Sequence, residues 1–178
     1  MAASGLAYEL VIGTLGSYLR GDTTGQFAIS FGVFTAGLGL GAALSRRLPL
    51  RPWALLAVVE FLLCAYGLFI AGLCSSDPRL ALGNGSAVEQ HLALAALLGG
   101  VLVGLELPVI AALLGDFGGT MALDYAGALL ASWLFPFVLM PAVGLVGTAM
   151  WAGAANGVVG LVCVYYAFLH ARSAEAIS

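Results

Sequence analysis

The sequence predicts an all-α protein, a polytopic membrane helix bundle of about six transmembrane helices arranged as two inverted three-helix repeats. Three observations carry that expectation. Hydrophobic residues fill 62% of the 178 positions and charged residues 8%, against roughly a quarter charged in an ordinary soluble domain. A water-soluble globule of this size could not hide so much apolar surface. Charges and prolines cut the chain into apolar runs of about 20 residues, the length of helix that crosses a bilayer core. Glycine is abundant, with 25 residues, which suits helices packed closely in lipid.

The first run, 2–19, ends at Arg20-Gly21-Asp22. It lacks a basic leader and a small-residue cleavage site, and Glu9 interrupts it, so it reads as a first helix and not a removable signal. The second run, 26–44, stops at Ser45-Arg46-Arg47, and the third, 53–73, lies between Arg51-Pro52 and Ser75-Ser76-Asp77-Pro78. The fourth, 92–114, follows a polar loop with Asn84, Glu89 and Gln90 and ends at Gly115-Asp116. The fifth, 124–145, passes through a Gly147-Thr148 link into the sixth, 148–169. Pro108, Pro136 and Pro141 fall inside runs four and five, where a missing amide proton either kinks a helix or is tolerated by its neighbours. The expected organisation is a single transmembrane domain over 1–178, with repeat one about 1–75 and repeat two about 90–170.

Six spans place both termini on one side, with Arg46, Arg47, Arg51 and Arg172; the other side holds Arg20 and Arg79. The excess of arginine predicts cytoplasmic termini, in a bacterial inner membrane. Asn84-Gly85-Ser86 fits a glycosylation pattern on the outer side, which has no meaning in a bacterium.

The repeat is visible in aligned segments. Gly5-Leu6-Ala7-Tyr8-Glu9-Leu10 corresponds to Gly104-Leu105-Glu106-Leu107-Pro108, each followed by a Gly-Asp turn, Gly21-Asp22 or Gly115-Asp116. A polar-aromatic pair then opens the next run, Gln26-Phe27 or Asp124-Tyr125, 17 residues after Glu9 and 18 after Glu106. An odd number of helices per repeat inverts the second copy, as in transporter architectures.

Four acids lie in or at the edge of these runs: Glu9, Glu60, Glu106 and Asp124. Each costs about 2.5–3.5 kcal/mol at mid-bilayer, so it should face the bundle interior. Glu9 and Glu106, related by the repeat, form a candidate acidic site for a cation or a proton; the alternative is that each fixes packing through hydrogen bonds. Glu60 lacks a repeat partner and reads as a packing or protein-contact residue. Asp124 belongs to the candidate site too, although capping of the fifth helix is the simpler role. Glycine pairs at four-residue spacing, Gly37 and Gly41, Gly100 and Gly104, Gly153 and Gly157, mark close helix approaches that packing within the bundle explains. Cys64, Cys74 and Cys163 have no metal-type spacing, and His91 and His170 stand alone at run ends. No metal, cofactor or catalytic triad is expected, and the absence of a basic patch argues against nucleic acid.

Several stretches resemble the membrane domain of spermidine synthase-like membrane proteins. They are residues 8–19 (YELVIGTLGSYL) with Gly21-Asp22, Gly37-Leu38-Gly39-Leu40-Gly41 with Ser45-Arg46, Gly104-Leu105-Glu106-Leu107-Pro108, and residues 124–130 (DYAGALL) running on to Leu134-Phe135-Pro136 and Pro141. The resemblance spans nearly the whole chain. It implies a multi-helix membrane domain, reminiscent of major facilitator helices, that is commonly followed by a cytoplasmic aminopropyltransferase domain. This sequence stops at Ser178, straight after its last helix. The expectation is therefore that the site for decarboxylated S-adenosylmethionine, and the activity, are not carried over.

The leading expectation is a non-catalytic membrane module, not an enzyme: a subunit, anchor or scaffold in a membrane protein complex, linked to a polyamine-synthase-like partner. Its partners would be lipids and other membrane subunits. The alternative is a small transporter or carrier of a cation or polyamine that uses Glu9 and Glu106.

Overall fold

The computed structural model describes residues 2–49, 51–75 and 86–175, with side chains to Arg172. Arg79 and the Asn84-Gly85 part of the glycosylation pattern lie outside the described residues. Helices account for nearly all of the described residues: α1 (Ala2–Arg20), α2 (Thr23–Ser45), α3 (Pro52–Ser75), α4 (Ser86–Leu114), α5 (Phe117–Leu134), a π-helical turn (Phe135–Leu139) and α6 (Met140–Glu175). There is no strand among the described residues.

Among the described residues, four stretches are long and apolar enough to cross a membrane: Thr23–Ser45, Pro52–Ser75, Ser86–Leu114 and Phe117–Arg172. The last has 56 residues, and as one straight helix it would run about 84 Å at 1.5 Å per residue. That is more than twice a hydrocarbon core of ~30 Å. It breaks at Gly144, whose φ of 66° and ψ of −169° suit only a residue without a Cβ. The expected link at Gly147-Thr148 is helical instead, and the Thr148 hydroxyl donates to the Gly144 carbonyl at 2.7 Å. Pro136 sits in the π turn, where the Met140 amide reaches back five residues to the Phe135 carbonyl. Proline removes an amide donor from the ladder, and the wider turn re-satisfies part of it. α4 continues through Pro108 without a break.

Two turns are built alike. Gly21 (φ 72°) and Gly115 (φ 66°) close α1 and α4, their amides donating to Ser17 and Ala111 carbonyls at 2.9 and 3.0 Å. Asp22 and Asp116 then cap the next helix, each accepting from the amide three residues on, Gly25 at 3.0 Å and Gly119 at 2.9 Å. A left-handed glycine followed by an aspartate N-cap is sufficient to reverse a helix. This corrects two expectations. α5 begins at Phe117, so Asp116 is its cap and Asp124 lies two turns inside. α4 begins at Ser86, six residues before the apolar run, because Glu89, Gln90 and His91 lower hydropathy without breaking a helix.

α1 is not among the four most apolar stretches, yet it touches all five other helices. Surrounded by protein, it can hold Ser4, Tyr8 and small residues in a buried face. α1 runs antiparallel to α4, with Gly5 against Val103 and Gly16 against Leu92. α2 runs parallel to α4: a Cβ on Gly37 would stand 2.6 Å from the Leu97 carbonyl, and one on Gly100 would strike the Phe34 carbonyl. α3 and α6 are antiparallel, with Gly67 against Gly153 and Cys64 against Gly157. Large apolar side chains of α5, the π turn and α6 point outward, among them Leu123, Leu129, Trp133, Phe137, Trp151 and Leu161.

Candidate functional site

The bundle interior contains a polar core. Tyr8 of α1 is fully buried; its hydroxyl donates to the Leu63 carbonyl at 2.9 Å and accepts from the Asn156 amide at 3.1 Å. Tyr66 packs edge-on against Tyr8, ring centroids 5.1 Å apart, and donates to the Ala95 carbonyl at 2.7 Å. These bonds tie α1, α3, α4 and α6 together, and each satisfies a polar group that burial would otherwise penalise.

Two carboxylates break that pattern. Glu60 of α3 is 0% exposed and Glu106 of α4 is 2% exposed, and none of their four carboxylate oxygens has a hydrogen-bond partner. The two carboxyl groups are near enough to act on each other electrostatically. Two bare carboxylates offer acceptors and no donor, so the pair is incomplete until a proton or a cation joins it.

Asp124 of α5 is the next acid outward and also acts on Glu106. Both line a cavity of about 210 Å³ between α2, α4 and α5, whose other walls include Leu38, Val103, Ile110 and Met121. A second cavity of about 200 Å³ shares Leu107, Ile110 and Asp124 with it and extends to Ala2, Leu114 and Thr120, near the Gly115-Asp116 turn. Glu60 lies eight residues after Pro52, Glu106 eight before Leu114 and Asp124 seven after Phe117. At 1.5 Å per residue each is about 10–12 Å from the helix ends on one side of the bundle.

Glu9 does not join them. Gly5 meets Val103 and Gly16 meets Leu92, so Glu9 stands level with Gly99, seven residues from Glu106. That is about two helical turns, or 10 Å. The turns explain the mismatch: Gly21 and Gly115 are 94 residues apart, whereas Glu9 and Glu106 are 97 apart. With the turns in register, Ile12 stands where Glu106 does. The structure therefore places Glu106 with Glu60 and Asp124, and leaves Glu9 half-buried on α1. Glu60 carried no local signal beyond a charge in an apolar run.

The packing glycines surround this core. Gly37 and Gly41 of α2 face Gly100 and Gly104 of α4 backbone to backbone, while Gly153 and Gly157 of α6 face Cys64 and Gly67 of α3. Cys64, Cys74 and Cys163 are free thiols. Among the described residues no group of three or more His, Cys, Asp and Glu side chains is placed to hold a metal ion.

Comparison with known proteins finds relatives that carry an enzyme's name. The chain is 36% identical over 88% of its length to a polyamine aminopropyltransferase of Leptospira interrogans. It is 32% identical over 94% to polyamine aminopropyltransferase 1 of Streptomyces coelicolor, and 36% identical over 93% to polyamine aminopropyltransferase 2 of Ralstonia nicotianae. It spans about a third of the length of these curated relatives. The chain is thus similar to one region of proteins named as aminopropyltransferases. No family model matches the chain and no solved structure matches it. The expectation that it stands apart from enzymes is overturned by these relatives, each carrying an enzyme's name and aligned over about nine-tenths of this chain. Catalytic motifs were the wrong signal to search for in a chain that matches only about a third of such proteins.

Proposed function

We propose that this chain is the membrane-embedded portion of a polyamine aminopropyltransferase-type enzyme, holding that enzyme at the inner membrane of a bacterium and presenting a polar core to its amine chemistry. The observation that carries the reading is the alignment of about nine-tenths of this chain to one third of proteins so named. The apolar stretches and the outward-facing side chains of α5 and α6 support a lipid setting. Two three-helix halves of opposite sense fit the matching Gly-Asp turns and the antiparallel pairs α1–α4 and α3–α6. Arg46, Arg47, Arg51 and Arg172 would mark the cytoplasmic side, next to a belt in which Trp53 stacks on Tyr166 at 4.9 Å.

The carrier reading with Glu9 and Glu106 draws less support, because the α1–α4 register separates these residues by two turns. The test is extraction. The chain should resist a carbonate wash, and its capture from a mild-detergent extract should bring down aminopropyl transfer to a labelled diamine. A chain that washes free, or whose capture brings down no transfer while the parent membranes retain it, sinks the proposal.

A further inference from the structure

We infer that the cavity between α2, α4 and α5 is a binding site for an aliphatic diammonium ion, one end held by Glu106 and the other by Asp124. Glu106 is the decisive side chain, 98% buried, without a hydrogen-bond partner, and lining the cavity. An ammonium group has three donors and no acceptor, so it supplies what two adjacent carboxylates lack. Apart from Tyr125 the remaining wall is apolar, with Leu38, Val103, Leu107, Ile110 and Met121, and so accepts methylene groups.

The donor set argues the same way. A hard divalent cation takes six to eight oxygens, and no group of three or more ligating side chains is assembled among the described residues. The volume of about 210 Å³ equals about seven water-sized volumes of ~30 Å³, room for a short aliphatic diamine of six heavy atoms. Asp124 lines both this cavity and the adjoining one toward the Gly115-Asp116 turn, so it stands where a ligand entering from that side arrives. The choice of an amine rests in part on the reading of the chain as part of an aminopropyltransferase-type enzyme, whereas the position and charge of the site do not.

The experiment is calorimetric titration of the full chain in detergent with 1,4-diaminobutane, 1-aminobutane and sodium chloride. Diamine should bind saturably and sodium should not. Glu106→Gln should weaken both amines at least about ten-fold, the loss of one charge-assisted partner. Asp124→Asn should weaken the diamine about ten-fold and leave the monoamine within about two-fold, because only the diamine reaches it. Helicity and elution volume check that each variant folds. If Glu106→Gln does not fold, the contrast between the two amines in Asp124→Asn decides alone, since that side chain is only half-buried. Absence of saturable diamine binding, equal loss of both amines in Asp124→Asn, or sodium binding in place of diamine overturns the inference. Aminopropyl transfer captured with a chain that binds no diamine would defeat this site and leave the enzyme reading standing; diamine binding by a chain that captures no transfer would do the reverse.

Discussion

The α2–α4 seam and the α3–α6 seam are both built on glycines four residues apart, yet they differ in what a methyl group would meet. On the α2–α4 seam it meets backbone. A Cβ on Gly41 would strike the Val101 carbonyl and stand 2.9 Å from Gly104 C and Leu105 N, and one on Gly104 would strike the Leu38 carbonyl. Along the outer part of the α3–α6 seam it meets side chains, Cys64 Sγ at 3.2 Å from Gly157 and Phe61 Cε1 at 3.2 Å from Gly160. Backbone cannot step aside without moving a helix, whereas a side chain can turn. The same spacing therefore encodes a seam that is rigid along its length in one place and one that is adjustable at its outer part, beyond Gly67 and Gly153, in the other. The rigid seam is also the one that walls the acidic cavity, through Leu38 and Gly104.

The largest effect should come from Gly41→Ala. Overpacking against backbone costs up to about 3 kcal/mol, and here it forces α2 away from α4. Thermal unfolding in detergent should show a loss on that order. A variant as stable as the parent would mean that the two helices are not held at this distance.

Gly67→Ala should follow, at about 2 kcal/mol. A Cβ there would stand 2.8 Å from the Ala149 carbonyl, from Gly153 Cα and from the Tyr8 hydroxyl. Part of the loss therefore belongs to the hydrogen bonds Tyr8 makes to Leu63 and Asn156. In a Tyr8→Phe background the same substitution should cost measurably less, because the displaced hydroxyl is already gone. Strict additivity of the two changes would show that Tyr8 takes no part in this seam.

The helical class was legible in the sequence because composition alone forces it. The Gly-Asp turns were legible too, since a left-handed glycine and an aspartate cap are local chemistry. Helix starts were harder to read. Hydropathy marks where a chain is apolar, and α4 begins in Ser86-Ala87-Val88-Glu89-Gln90-His91, which is helical without being apolar. The pairing of acids was not legible. Aligning Glu9 with Glu106 uses sequence likeness, but the turns set the register, and they differ from it by three residues. Glu60 meets Glu106 only through the packing of α3 on α4, a tertiary fact with no trace in local spacing.

The smallest effect, and the one that sharpens the comparison most, should be Gly157→Ala. Two contributions oppose each other there. Replacing glycine by alanine inside a helix is worth about 0.5–1 kcal/mol in its favour, through the backbone freedom it removes from the unfolded chain. Against this stands the approach to Cys64 Sγ at 3.2 Å, which is tight but involves the free end of a short side chain. The net change should lie within about 0.5 kcal/mol of zero, since a thiol can adopt another rotamer at a cost of that order. Gly39→Ala supplies the reference, because a Cβ at that position meets nothing within 4 Å and reports the helix term alone. Removing the obstacle with Cys64→Ala should bring Gly157→Ala up to the Gly39→Ala gain. If Gly157→Ala instead costs as much as Gly41→Ala, and Cys64→Ala does not relieve it, then the obstruction is backbone on both seams and the distinction between them fails.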